Sequence, residues 1–188
     1  MPVRLLPNHW ETERLVVQDS ILDEAPDLQQ VVDKTPEIRG GLSESDLSNR
    51  DRPDRPVVSW LMEPSLPPNG SKEFARTQSV RVKDTSALIG LLIIYHGFPA
   101  ADVFYVHTLA LAPEFQGQGY GPELAQGLSD KVERMGTYAR MQLFANVKNW
   151  RALRFWTRAG FDRVVEIRGD KVHSADADAY VLLEKSLI

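Results

Sequence analysis

Apolar and polar positions along the chain mark out its elements before any chemistry is considered. RLVVQD (14–19) reads as a first strand, and residues 23–35 read as a helix because Leu28, Val31 and Val32 fall on one side at helical spacing. The pattern then breaks. Over 36–58, Pro36, Pro53, Pro56, the Gly40–Gly41 pair and many charges disfavour a packed element, and WLMEPSLPPNG adds further turn residues. A loop-rich variable insertion over about 36–75 is therefore expected, containing at most short helical turns, with SKEFARTQ as a brief helix. Loops beyond about 12–15 residues in compact domains are usually functional or disordered, which leaves two readings open: a substrate-side lid, or a solvated insertion without a role.

From residue 79 the pattern tightens. SVRVKD (79–84) and ALIGLLIIYHG (87–97) predict an antiparallel hairpin, and ADVFYVHTLAL (101–111) predicts a third long strand. Leu124, Leu128, Val132 and Met135 recur at spacings of four, four and three, one face of a helix near 122–135 whose first turn accommodates Pro122. ARMQLFAN (139–146) then reads as a strand, NWRALRFWTRAG (149–160) as a helix, FDRVVEIRG (161–169) as a strand and DAYVLLEKSL (178–187) as the last strand. Strands first, then strands alternating with helices, predict a mixed α/β (α+β) sheet in a single domain over 1–188.

Composition narrows the partners. A chain of 188 residues, 43% hydrophobic and 26% charged, suits one core. Its net charge of −4, pI near 5.6 and lack of any Lys/Arg block argue against nucleic acid as a main partner. There is no cysteine, which excludes disulfides, thiolate metal sites and a cysteine nucleophile, and no metal is expected. MPVRLLPNHWETERL lacks a signal-peptide core and no apolar run approaches a membrane span, so a soluble, cytoplasmic chain with no membrane partner is expected.

Candidate chemistry centres on PEFQGQGYGPEL (113–124). Gly117, Gly119 and Gly121 stand between a strand and a helix, where a bent backbone can aim several N–H groups at one anion beside the positive end of the helix. A plain flexible turn fits the same glycines. The spacing matches neither G-x-x-x-x-G-K-[ST] nor G-x-G-x-x-G.

LALAPEFQGQGYGPEL resembles motif A of the GNAT superfamily of N-acetyltransferases, and NWRALRFWTRAGF is similar to that family's downstream N-x-x-A-x-x-x-[YF]-x-x-x-G-F segment. ETERLVV resembles the first strand of many members. The resemblance implies a GNAT-like acyl-CoA N-acyltransferase fold, a largely antiparallel central sheet flanked by helices, with acetyl-CoA (CoA) as cofactor. It implies that N–H groups of Gly117, Gln118, Gly119, Tyr120 and Gly121 bind the pyrophosphate, with Gln116 where many relatives carry Arg. It also implies that Leu109, Ala110 and Leu111 are splayed by a bulge, pair with the pantetheine arm and offer an N–H near Leu111 to the thioester carbonyl. Asn149 matches a cofactor-contacting Asn, although it reads equally well as a helix N-cap. Trp156 stands where many relatives have a general-acid Tyr, and Phe144 where some have a catalytic Glu; an indole N–H donates a hydrogen bond but not a proton at neutral pH.

The activity implied is acetyl transfer to a primary amine, on a small molecule or a peptide, by direct attack in a ternary complex. The alternative is an acyl-CoA-binding or sensing module without turnover. A homodimer is compatible with the resemblance. Catalytic candidates are Tyr105 and His107, two apart on the strand leading to the turn and so expected on one face with Leu109 and Leu111. His107 is read either as general base or as a sheet histidine on the far side, with Tyr95, His96 and Tyr180 as secondary choices.

Overall fold

The computed structural model describes residues 4–35, 56–64, 66–172, 174 and 179–187. Its strands are β1 (His9–Glu11), β2 (Leu15–Asp19), β3 (Ala75–Val82), β4 (Leu88–His96), β5 (Val103–Leu111), β6 (Arg140–Asn146), β7 (Arg163–Gly169) and β8 (Ala179–Ser186). They form one sheet in the order β1-β2-β3-β4-β5-β6-β8-β7. Neighbours are antiparallel except β5 and β6, which are parallel. The helices are α1 (Ala25–Asp33), α2 (Val57–Met62), α3 (Tyr120–Met135) and α4 (Trp150–Arg158). The mixed, largely antiparallel sheet agrees with the fold class expected from the sequence.

Each face of the sheet carries its own core. On one, Leu124, Leu128 and Val132 of α3 and Trp156 of α4 pack against Ile94, Phe104, Val106 and Leu111. On the other, Leu28, Val31 and Val32 of α1 and Val57 of α2 cover Leu91 and Ala110. The period-3.6 faces expected for 23–35 and 122–135 are thus the faces that bury.

Three differences from the sequence reading have physical causes. Within 71–78 only Lys72–Phe74 make a 3₁₀ turn; β3 begins at Ala75, because Ala75, Thr77 and Ser79 pair with Tyr95, Ile93 and Leu91. Residues 57–62, read as loop, form α2, whose Val57 is fully buried and whose first amide is bonded by Gln29 Oε1 at 2.8 Å. Strand β1 was hidden by its length of three residues and exists by pairing with Val16–Gln18. Residues 36–55 of the expected insertion lie outside the described residues.

The middle of the sheet positions the site. β4 pairs Ile94 with Val106 and Ile93 with Thr108, so His107 is an extra residue in β5, a β-bulge. β5 and β6 pair only over Val103–Arg140, Phe104–Met141 and Tyr105–Gln142, and beyond that they separate. At the far end of β5 the approach is close instead: a Cβ on Gly90 would lie 2.2 Å from the Ala110 carbonyl oxygen and 2.6 Å from Leu111 Cδ2.

At the opposite end, His96 is 2% exposed. Its Nε2 accepts from the Leu6 amide at 3.3 Å, which leaves Nδ1–H to donate to Tyr138 Oη at 2.8 Å; that hydroxyl donates on to the Arg4 carbonyl at 3.3 Å. Burial, with the Arg76 charge second, pushes the imidazole down to about 4, and burial pushes the Tyr138 phenol up to about 12.

Two predictions follow from these packing facts. Gly90→Ala overpacks the β4–β5 contact and is expected to cost about 1–3 kcal/mol in urea unfolding; wild-type stability would show that the strands do not approach this closely. For His96 the folded state binds fewer protons than the unfolded state between pH about 6.5 and about 4, so its contribution is complete above the upper value and is lost as pH falls through that window. The slope is about 1.4 kcal/mol per pH unit. His96→Gln should remove that part of the wild-type acid slope, and parallel stability–pH curves for the two proteins would refute the assignment.

Candidate active site

Where β5 and β6 part, a cavity of about 480 Å³ opens. β5 lines it from Val106 to Leu111, β6 from Leu143 to Asn146, and the first turns of α4 contribute Asn149, Arg151, Ala152, Phe155 and Trp156. Its far end is the Gly-rich turn, through Gln116, Gly117, Gly119, Gly121 and Pro122, and Thr35 closes one side. The edge of β5 that would face β6 beyond Tyr105 is not paired by β6, so the wall presents main-chain donors and acceptors.

The turn is shaped by two glycines with left-handed backbones, Gly117 at φ +77° and Gly119 at φ +86°. Gly119 is the N-cap of α3, whose first turn begins with Tyr120 and Gly121. Among the described residues, the N–H groups of 117–121 donate to no other backbone group. These are the donors that an anion at a helix start uses.

Side chains around the turn hold it in place. Arg14 Nε donates to Glu123 Oε2 at 2.6 Å, its Nη1 donates to the Gln118 carbonyl at 3.1 Å, and its guanidinium lies 4.5 Å over the Tyr120 ring. Burial pushes the Glu123 carboxyl up, but hydrogen bonds from Thr12, the Arg14 amide and the Arg14 guanidinium together hold it below the usual carboxylate range. Lys34 is paired with Glu114 at 2.6 Å. Gln116 spans the mouth: its Nε2 donates to the Leu111 carbonyl at 2.7 Å, and its Oε1 accepts from Arg151 Nη2 at 2.6 Å.

The structure brings Leu109, Ala110, Leu111, Gln116, Gly117, Gly119, Gly121, Asn149 and Trp156 to this one cavity, together with His107 and Phe144. Asn149 is also the N-cap of α4, with its Oδ1 accepting from the Ala152 amide at 3.0 Å. Gln118 and Tyr120 lie in the turn but their side chains do not line the cavity; Gln118 Nε2 donates to the Glu114 carbonyl at 2.7 Å.

Tyr105 is not brought to the cavity. The bulge at His107 reverses the alternation of β5, so Tyr105 shares a face with Thr108 and Ala110, opposite to Leu109 and Leu111. It is buried against Phe98. The expected bulge over Leu109–Leu111 is likewise corrected, because those residues stay in register with Leu92, Leu91 and Gly90. His107 itself lies between the cavity and a small apolar slot that Tyr95, Phe98 and Tyr105 help to line, and its Nδ1 sits 2.8 Å from Thr108 Oγ1.

Sequence reasoning missed Arg14, Thr108, Arg151 and Phe155. For the last two a signal existed, since residues four apart at the start of a helix share a face with the capping Asn149 nearby. No group of three His, Asp or Glu able to hold a metal ion occurs among the described residues, and none of their helices is long and apolar enough to cross a membrane.

Comparison with known structures matches this fold. A probable GNAT-family acetyltransferase from Chromobacterium violaceum superposes with a TM-score of 0.73 at 14% identity, covering 98% of this chain and 89% of that one. RimL, a ribosomal L7/L12 α-N-protein acetyltransferase in complex with coenzyme A, gives 0.66 at 16% identity, covering 97% and 98%. A spermidine N-acetyltransferase from Vibrio cholerae, in complex with CoA and spermine, gives 0.65 at 13% identity, covering 93% and 96%. No curated relative matches the sequence. Residues 46–161, more than half of the chain, match the model of the acetyltransferase (GNAT) family, and to that family the chain belongs.

Proposed function

We propose that this acyltransferase moves an acetyl group from acetyl-CoA to a primary amine, on a small molecule or a peptide, by direct attack within a ternary complex. The observation that carries the reading is the separation of β5 from β6 after Tyr105 and Gln142, which leaves an unpaired strand edge ending at unused amides of the Gly-rich turn. An extended pantetheine arm fits that edge as a further strand would, and a diphosphate fits the turn. Relatives of the same fold carry CoA, and two of them are named for amine substrates, a protein α-amine and a polyamine.

In this reading the amides of Gly117, Gln118, Gly119, Tyr120 and Gly121 hold the diphosphate; Pro122 contributes none. Leu109, Ala110 and Leu111 border the pantetheine arm, and Asn149 and Trp156 complete the wall. The thioester supplies an activated acyl carbon. The bulged main chain around His107 and Thr108 replaces Leu111 as the source of the N–H that polarises its carbonyl. His107 takes the proton of the attacking amine as the new C–N bond forms and the C–S bond breaks. Trp156 shapes the channel near the departing sulfur without supplying it a proton. Tyr105 drops out of the direct chemistry and instead buttresses His107, ring centroids 6.5 Å apart.

Thiol release measured over a panel of polyamines, aminoglycosides and peptide N-termini tests the reaction; CoA binding with no thiol release for any acceptor would leave a binding module instead. Gly119→Asp puts a side chain on a left-handed residue, with its Cβ 3.1 Å from Arg14 Nη2, and by disturbing the turn should weaken CoA binding on the order of 100-fold, whereas an unchanged Kd would move the diphosphate elsewhere. His107→Gln is expected to lower kcat by about 100-fold or more, with little change in KM for acetyl-CoA. A wild-type kcat in that variant would remove His107 from the proton transfer.

A further inference from the structure

We propose that Arg151 supplies the cationic contact to the diphosphate of the acyl-CoA, with Gln116 as the tether that aims it; this rests on the acyl-CoA reading above. Three cations stand around the turn, and their partners differ. Arg14 is paired with the Glu123 carboxylate and Lys34 with that of Glu114, each at 2.6 Å. The guanidinium of Arg151 instead donates to a neutral carboxamide, Gln116 Oε1, at 2.6 Å, and no carboxylate among the described residues forms an ion pair with it. Its charge is therefore balanced by nothing on that wall, while those of Arg14 and Lys34 are balanced locally.

Placement agrees with charge. Arg151 lines the cavity from the first turn of α4, and Gln116 lies immediately before the amides of 117–121. The other end of the Gln116 carboxamide donates to the Leu111 carbonyl at 2.7 Å, so the side chain is fixed at both ends and the guanidinium is held beside the turn rather than left to roam in solvent. A guanidinium fixed in this way offers forked N–H donors to phosphate oxygens. Main-chain dipoles and one uncompensated full charge then act on the same anion. Arg154 and Arg158 are exposed on the same helix three and seven residues further on, form no ion pair among the described residues and do not line the cavity. They provide the matched controls.

Binding of CoA and of 3′-dephospho-CoA to the full chain, measured by calorimetry for wild type, Arg151→Gln, Arg154→Gln and Arg158→Gln, tests the assignment. The expected result is a loss of about tenfold in Arg151→Gln, equal for both ligands and smaller at high salt, with the two control variants at wild-type affinity. Three results would overturn it. Wild-type affinity in Arg151→Gln removes the contact. A loss with CoA but not with 3′-dephospho-CoA moves the arginine to the 3′-phosphate. Equal losses in all three variants show only the general field of a basic helix. A wild-type chain that binds neither ligand would instead refute the acyl-CoA reading itself, and the two failures are thereby distinguishable. Arg151 is exposed, so unchanged thermal melts are expected for its variant.

Discussion

A parallel strand pair that stops pairing in the middle of a sheet is the constraint on which the rest of this molecule depends. Backbone N–H and C=O groups away from water need partners, and β5 loses β6 as a partner after Tyr105. The bulge at His107 bends β5 on one side of the gap, and β8 holds β6 on the other by pairing along its whole length from Arg140 to Asn146. Neither strand can relax toward the other without breaking a ladder that is already made. The gap is thus a built feature of the sheet.

The turn at the end of the gap depends on being held from outside. A run with left-handed residues at 117 and 119 has few internal bonds, and among the described residues its amides donate to no other backbone group. Arg14, in the link between β1 and β2, reaches the Gln118 carbonyl and the Glu123 carboxylate together, so a residue more than a hundred positions upstream fixes how the turn faces. This explains why the short edge strand β1 matters to a site it never touches: β1 and β2 are the anchors of that arginine. The same clasp pairs the Arg14 charge with the Glu123 carboxylate.

How far the sequence disclosed all this follows from the range of the interactions involved. Local signals were legible: the spacing of Leu124, Leu128 and Val132 gave α3, the glycines gave the turn, and Asn149 gave the start of α4. Non-local ones were not. ARTQ carries no mark of a strand, and it is one because β4 lies beside it. VVSWLM, framed by prolines, is a helix because α1 accepts Val57. The alternation of β5 was read correctly up to Tyr105 and then inverted, because a bulge is a property of two strands in register and leaves no trace in one of them. Arg151 was passed over for a related reason: its meaning lies in Gln116 being neutral where its neighbours' partners are charged, a comparison that needs three-dimensional neighbours.

The proton inventory of the cavity gives these corrections their chemical weight. Of the two positions that the resemblance matched to proton-transfer residues, Trp156 is 8% exposed and packed edge-on between Phe155 and Phe161, and Phe144 carries no ionisable group. Once the bulge has turned Tyr105 away, His107 is, among the described residues, the one ionisable imidazole or phenol side chain lining the cavity. A thiolate is a far better leaving group than an amine, since its conjugate acid ionises near 8.5 whereas a lysine-type amine holds its proton until about 10.4. The step that needs help is therefore deprotonation of the acceptor rather than protonation of the sulfur. In the proposed reaction, a cavity lined by an imidazole and an indole is matched to that asymmetry.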